Sequence, residues 1–161
     1  MKNYSNKNIH PLQGFTLIEL IVMLAILGLI AAIATTRLTD ISTNVRMSSA
    51  INQISSDIEI VKEMSLAKHK NMSITFDQNY NTYIIREGNS VMSDYPGSDN
   101  GILNLSEGIF KGVNITQIDI NGSNKINFDK WGNVLNSGTI TLNNDRILSI
   151  NKLTGFTQVS N

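Results

Sequence analysis

Glu19 is a single carboxylate near the start of an otherwise apolar run, Phe15–Ala34, 20 residues long. A charge near a bilayer core costs about 2.5–3.5 kcal/mol even on a lenient insertion scale, so a residue of this kind marks a functional contact. The chemistry open to it is neutralisation of a cation. The run is preceded by a short polar stretch that ends in Gly14 and carries Lys2, Lys7 and His10.

The remaining candidates are weaker. Asp77-Gln78-Asn79-Tyr80-Asn81 opens like a calcium loop, but Thr82 stands at the sixth position and Gly88 at the twelfth, where glycine and glutamate are needed. It reads as a hairpin turn. His69 falls near a helix end, where partial positive charge suits the dipole, and has no sequence partner for a ligand or base role. Trp131, the only tryptophan, reads as core packing or a sheet rim before it reads as a stacking platform. Gly108 and Gly112 form a flexible turn in a polar context. The sequons at Asn71 and Asn114 carry little weight. No P-loop, serine triad or metal-ligand spacing is present, and no cofactor is implied; the chain does not read as an enzyme.

Composition narrows the rest. The chain is formally neutral, and residues 1–14 hold two lysines and no acid, so the remainder is slightly acidic. That gives no generic attraction to nucleic acid or anionic lipid. Cysteine is absent, which removes disulfides, thiolate metal sites and cysteine nucleophiles together. An exported domain would then hold together by packing alone.

At about 1.5 Å per residue, Phe15–Ala34 spans a hydrocarbon core of about 30 Å. The basic residues before it, against Arg37 after it, favour a cytoplasmic N-terminus and an exported remainder. Gly28 and Ala32 form a small-xxx-small pair. Two plainer readings exist: a secretory signal peptide, for which Ala32-Ile33-Ala34 supplies an A-x-A site, and a simple signal anchor. Signal h-regions are shorter, at about 7–15 residues, and uncharged. Neither reading explains Glu19.

Met47, Ile51, Ile54, Ile58, Val61 and Met64 continue at helical spacing, and no proline interrupts residues 15–70. One helix is therefore expected from about Phe15 to Lys68. Asn52, Gln53, Asp57, Glu59, Lys62 and Glu63 are expected on its solvated faces. After Lys70 the texture changes to short alternating segments. Strands are expected at Ser73–Phe76, Thr82–Arg86, Val113–Ile120, Lys125–Phe128, Thr139–Leu142, Arg146–Ile150 and Phe156–Val159. Asparagine and glycine turns separate them, and 93–101 is expected as a surface loop. The assembly this suggests is α+β, one antiparallel sheet laid over the apolar stripe of the helix.

Glycine, phenylalanine and an apolar helix with glutamate fifth after the glycine resemble the N-terminus of type IV pilins and of the pseudopilins of type II secretion and DNA uptake. The resemblance covers about the first 25 residues. It implies a leader, 1–14, removed by a prepilin peptidase between Gly14 and Phe15, and N-methylation of Phe15. It implies also that Glu19 pairs with the N-terminal amine of a neighbouring subunit; such an amine is ordinarily protonated at neutral pH. A pair within one chain, Glu19 with the Phe15 amine four residues away, is the competing reading. The implied fold is the pilin fold, with a transmembrane and filament-core helix over 15–37, its amphipathic continuation over 38–69 and a β-rich head over 70–161.

Further along, 126–133, 137–142, Arg146-Ile147 and Gly155 resemble the sheet of GspH/FimT-type minor pilins and pseudopilins. Phe156 departs from that pattern, which often has arginine after the last glycine. Some such proteins touch DNA through a basic edge. Lys125, Lys130 and Arg146 are the residues here that would do so, although Asp119, Asp129 and Asp145 interleave with them. The partners implied are the prepilin peptidase, other pilin subunits, an inner-membrane assembly platform and membrane lipid before assembly. The implied location is the cytoplasmic membrane with the N-terminus inside, then a filament on the exported side.

Overall fold

The computed structural model describes residues 14–152 and 157–160, with the side chains of 34–41 outside the description. Residues 1–13 of the expected leader, the side chain of Arg37 and the expected strand start at Phe156 therefore lie outside the described residues. The chain divides into two compact units, 1–40 and 41–161. Secondary structure is an N-terminal helix followed by antiparallel β-structure, as the residue pattern leads one to expect.

Helix α1 runs Leu17–Lys68. In the second unit its stripe of Met47, Ile51, Ile54, Ile58 and Val61 is buried, with Ala50 beside it and Met64 packed at the margin. The solvated-face expectation fails at Asp57, which is 1% exposed. Its position is one residue before Ile58, so it shares the inward arc of the helix, and partners from the β-structure satisfy it.

Among the described residues nine strands come after the helix: β1 Met72–Asp77, β2 Thr82–Glu87, β3 Ser90–Val91, β4 Ile102–Asn104, β5 Ile115–Asp119, β6 Lys125–Phe128, β7 Gly138–Leu142, β8 Arg146–Ile150 and β9 Thr157–Ser160. They form two sheets, where one was expected. The first has the order β3-β2-β1-β6 with β4 also on β2; the second has the order β5-β7-β8-β9. The crossing is made at Asn121-Gly122. Both residues have positive φ, and a two-residue hairpin there is closed by Ile120–Ser123 hydrogen bonds of 2.9 and 3.1 Å. The turn hands the chain from β5 in one sheet to β6 in the other. Strand alternation alone carries no information about which strands pair, so this split was not visible in the sequence.

Met72, Ile74 and Phe76 of β1, Tyr83 and Ile85 of β2, and Ile126 and Phe128 of β6 face the core. Ile140, Leu142, Leu148 and Ile150 do so from the second sheet, and all join the helix stripe in one buried cluster. Among the described residues, five of the six non-glycine residues with positive φ are asparagines, one use of the many asparagines in the chain. The short strands β3 and β4 were not anticipated. The 93–101 loop is not merely superficial either, because Tyr95 within it is only 4% exposed.

Gly138 shows how closely two segments of the second sheet meet. A Cβ placed there would overlap the Asp119 carbonyl oxygen and Ile120 Cα, and would lie 3.0 Å from the Asp119 carbonyl carbon. All three are backbone atoms and cannot rotate away. Gly138→Ala should therefore cost about 3 kcal/mol or more, read as a lowered denaturant midpoint with unchanged slope. A variant that unfolds at the parent midpoint would refute that close approach.

Candidate functional site

Gly14, Phe15 and Thr16 precede α1. Thr16 stands at its N-cap, and its Oγ1 accepts a hydrogen bond from the Glu19 N–H at 3.3 Å. Glu19 is the acidic residue of the first turn, where it meets the positive end of the helix dipole. Thr16-x-x-Glu19 is thus a capping-box spacing, a signal that reading Glu19 only as an intramembrane charge leaves unused. Gly14 has an ordinary φ, and a Cβ there would meet nothing within 4 Å. Local packing does not require glycine at that position; Gly28 is equally open.

The side chains of 15–33 are exposed throughout, Phe15 to 71%, Leu17 to 79% and Leu29 to 67%. A contiguous apolar surface on this scale marks a site of association with protein or membrane. Among the described residues, no helix is long and apolar enough to cross a membrane. The described side chains of the apolar run end at Ile33.

Residues 13–35 match the family model of the prokaryotic N-terminal methylation motif. The chain therefore carries a pilin-like prepilin signal, which points to a structural subunit. No curated protein and no solved structure compared with the chain matches it. The methylation motif lies wholly within the first unit, so the second unit is read from its own geometry.

There, Asp57 is the residue that sequence reasoning missed. Its carboxylate accepts from Tyr95 Oη at 2.7 Å, from Tyr83 Oη, and from Gln53 Nε2 at 3.1 Å to each oxygen. Burial first, then Asp57, pushes the Tyr83 phenol far above its usual range. Burial, followed by the hydrogen bond to Asp57, does the same for Tyr95. The helix, β2 and the 93–101 loop are thereby pinned at one point. The pairing of a helical Asp with tyrosines 26 and 38 residues away leaves no local signal.

The three cations considered for DNA lie apart. Lys125 is in β6 of the first sheet, and Arg146 is in β8 of the second. Arg146 Nη1 donates to Ser48 Oγ at 3.0 Å, while its buried Nε has no partner. Lys130 Nζ lies 5.2 Å from the Trp131 ring centroid, a cation–π contact. Trp131 is not a core residue: it is 57% exposed, with the His69 ring edge-on at 5.8 Å. It projects from a turn organised by Asp129, which accepts from the Trp131 and Asn133 N–H groups at 2.9 Å each. The Asn133 side chain, then its backbone N–H, holds the Asp129 carboxyl below its usual range.

Asp77 Oδ1 accepts from the Asn79 and Tyr80 N–H groups at 2.9 and 3.3 Å, the hairpin turn expected of that segment. Among the described residues, no cluster of three or more metal-ligating side chains occurs. At the C-terminal end of α1, Lys68 Nζ donates to Glu87 at 2.8 Å and Lys70 donates to its other oxygen. Those two bonds, Lys68 first, lower the Glu87 carboxyl to about 2. The clamp is thus ionised above the ordinary carboxylate range and is lost only as pH falls through about 2.

Proposed function

We propose that the chain is a filament subunit, a minor pilin or pseudopilin of GspH/FimT type, in a type IV pilus or a type II secretion-like machine. In this reading a prepilin peptidase cuts between Gly14 and Phe15, and Phe15 is N-methylated. Before assembly, 15–37 anchors the subunit in the cytoplasmic membrane with its N-terminus inside; in the filament the same segment forms the core. Residues 38–69 continue the helix, and 70–161 form the head on the exported side. The inner-membrane assembly platform and other pilin subunits are the partners.

The observation that carries this reading is the methylation motif on a helix whose apolar side chains over 15–33 are all exposed. Such a surface needs lipid or neighbouring helices to cover it. An unconstrained glycine at 14 fits a residue kept for a peptidase and not for packing. Glu19, the acidic residue of the first turn, would neutralise the amine of Phe15 in the adjoining subunit. Mass spectrometry of the mature protein should find N-methylphenylalanine at position 15 as the first residue. A mature chain that starts at Thr35 or later would instead identify a secreted protein.

A further inference from the structure

The outer face of the first sheet, away from the helix, holds a recess of about 290 Å³. Asn71, Ser73, Asn89, Lys125 and Asn127 supply its polar lining, and Leu135 is among its apolar residues. Ser73 is 3% exposed, and its Oγ is buried with no hydrogen-bond partner. Most buried hydroxyls are satisfied, and one left open costs about 1–3 kcal/mol. A hydroxyl in that state at the wall of a recess points to a bound group.

The register fixes what surrounds it. Ser73 lies directly opposite Asn127 in β6 and Arg86 in β2, while Thr75 lies opposite Lys125. Alternation puts Ser73, Asn127 and Lys125 on one face, because Ile74 and Ile126 between them are fully buried on the other. A diagonal cross-strand neighbour is about 7–8 Å away, within reach of a lysine side chain. Lys125 makes no ion pair among the described residues, whereas Lys68 and Lys70 are both committed to Glu87. Arg86 is held on the rim by Nη1 donating to the Asn89 carbonyl at 3.2 Å.

We infer that this recess binds a carboxylate, received by the Ser73 hydroxyl, the Asn127 side-chain amide and the Lys125 ammonium. Two acceptor oxygens suit three such donors, and the ammonium makes the bond charge-assisted. The wall formed by Leu135 suits a carboxylate on a short hydrocarbon stem better than a phosphodiester backbone. The site is independent of the N-terminal motif and would stand if the filament reading failed.

The test is a titration of the 15N-labelled full chain in detergent micelles at fixed ionic strength. Its probes are sodium acetate, a capped Ala-Glu-Ala peptide, inorganic phosphate and, as neutral isostere, acetamide. Acetate and the peptide should move the Ser73 and Asn127 amide signals saturably, and acetamide should not. Ser73→Ala and Lys125→Gln should each weaken acetate binding about tenfold. Ser73→Ala should melt no lower than the parent, because the hydroxyl it removes is unpartnered, and this certifies that the variant is folded. Tighter binding of the peptide than of acetate would assign the carboxylate to a protein chain; equal binding would assign it to a free small acid. Acetamide titrating like acetate, phosphate binding tighter than acetate, no saturation by any probe, or an unaffected Lys125→Gln would each overturn the assignment.

Discussion

Replacing Asp57 by alanine should destabilise the 41–161 unit by about 3–5 kcal/mol. The substitution strips the acceptor from two buried phenols and one amide, and each buried donor left unmade costs about 1–3 kcal/mol. Asp57→Asn keeps the shape and one acceptor oxygen, so it should cost about half as much. Tyr95→Phe removes a single bond and should loosen the 93–101 loop, read as faster amide exchange there. The effects should be strongly non-additive: in an Asp57→Asn background, Tyr95→Phe should cost less than alone. Urea unfolding followed by the Trp131 fluorescence reads all of these. An Asp57→Ala protein within about 0.5 kcal/mol of the parent would show that the network fixes shape and contributes no stability.

The same network sets the alkaline limit. Tyr83 and Tyr95 titrate higher in the folded chain than when unfolded, because burial and the Asp57 carboxylate both oppose the phenolate. The unfolded chain therefore releases their protons first. Their contribution is complete below the ordinary tyrosine range, near pH 10, and is lost progressively as pH rises above it. Stability should fall steeply there in the parent and less steeply in a Tyr83→Phe, Tyr95→Phe double variant.

How much of this was readable beforehand depends on the range of the interactions involved. The helix was legible because a 3.6-residue apolar period is a local property, and Met47 to Val61 show it without interruption. Most strands were legible for the same reason, to within a residue or two. The splitting into two sheets was not, because pairing β1 with β6 and leaving β5 to β7 is decided by contacts across tens of residues. Asp57 misled because a carboxylate on a helix is ordinarily solvated, and its partners are distant tyrosines. For Trp131, read as core packing or a sheet rim, the core alternative fails: a large aromatic is ordinarily buried, and here Asp129 builds a turn that displays it. At the N-terminus the match to the methylation motif came from a short pattern of residue types, but the capping of the Glu19 N–H by Thr16 required the hydrogen bond to be seen.

The capping-box spacing of Thr16 and Glu19 makes Glu19 the residue whose substitutions discriminate best. Were Glu19 to complete the capping box, it would do so through a side chain that reaches back to the N-terminal backbone, and glutamine would do this as well as glutamate. In the proposed pairing with a cationic amine of a neighbouring subunit it would contribute through charge, which glutamine lacks. Capping is worth about 0.5–2 kcal/mol, whereas an amine left unpaired in a low-dielectric filament core costs about 3–5 kcal/mol. Glu19→Gln should therefore be cleaved and methylated normally and retain its helix start, yet its incorporation into filaments should fall by more than about 100-fold, to the level of Glu19→Ala. Quantitative blotting of sheared filaments against membrane-bound precursor measures this directly. If Glu19→Gln assembles like the parent while Glu19→Ala does not, the glutamate is a helix cap, and the registry of neighbouring subunits must come from the packing of 17–33 alone.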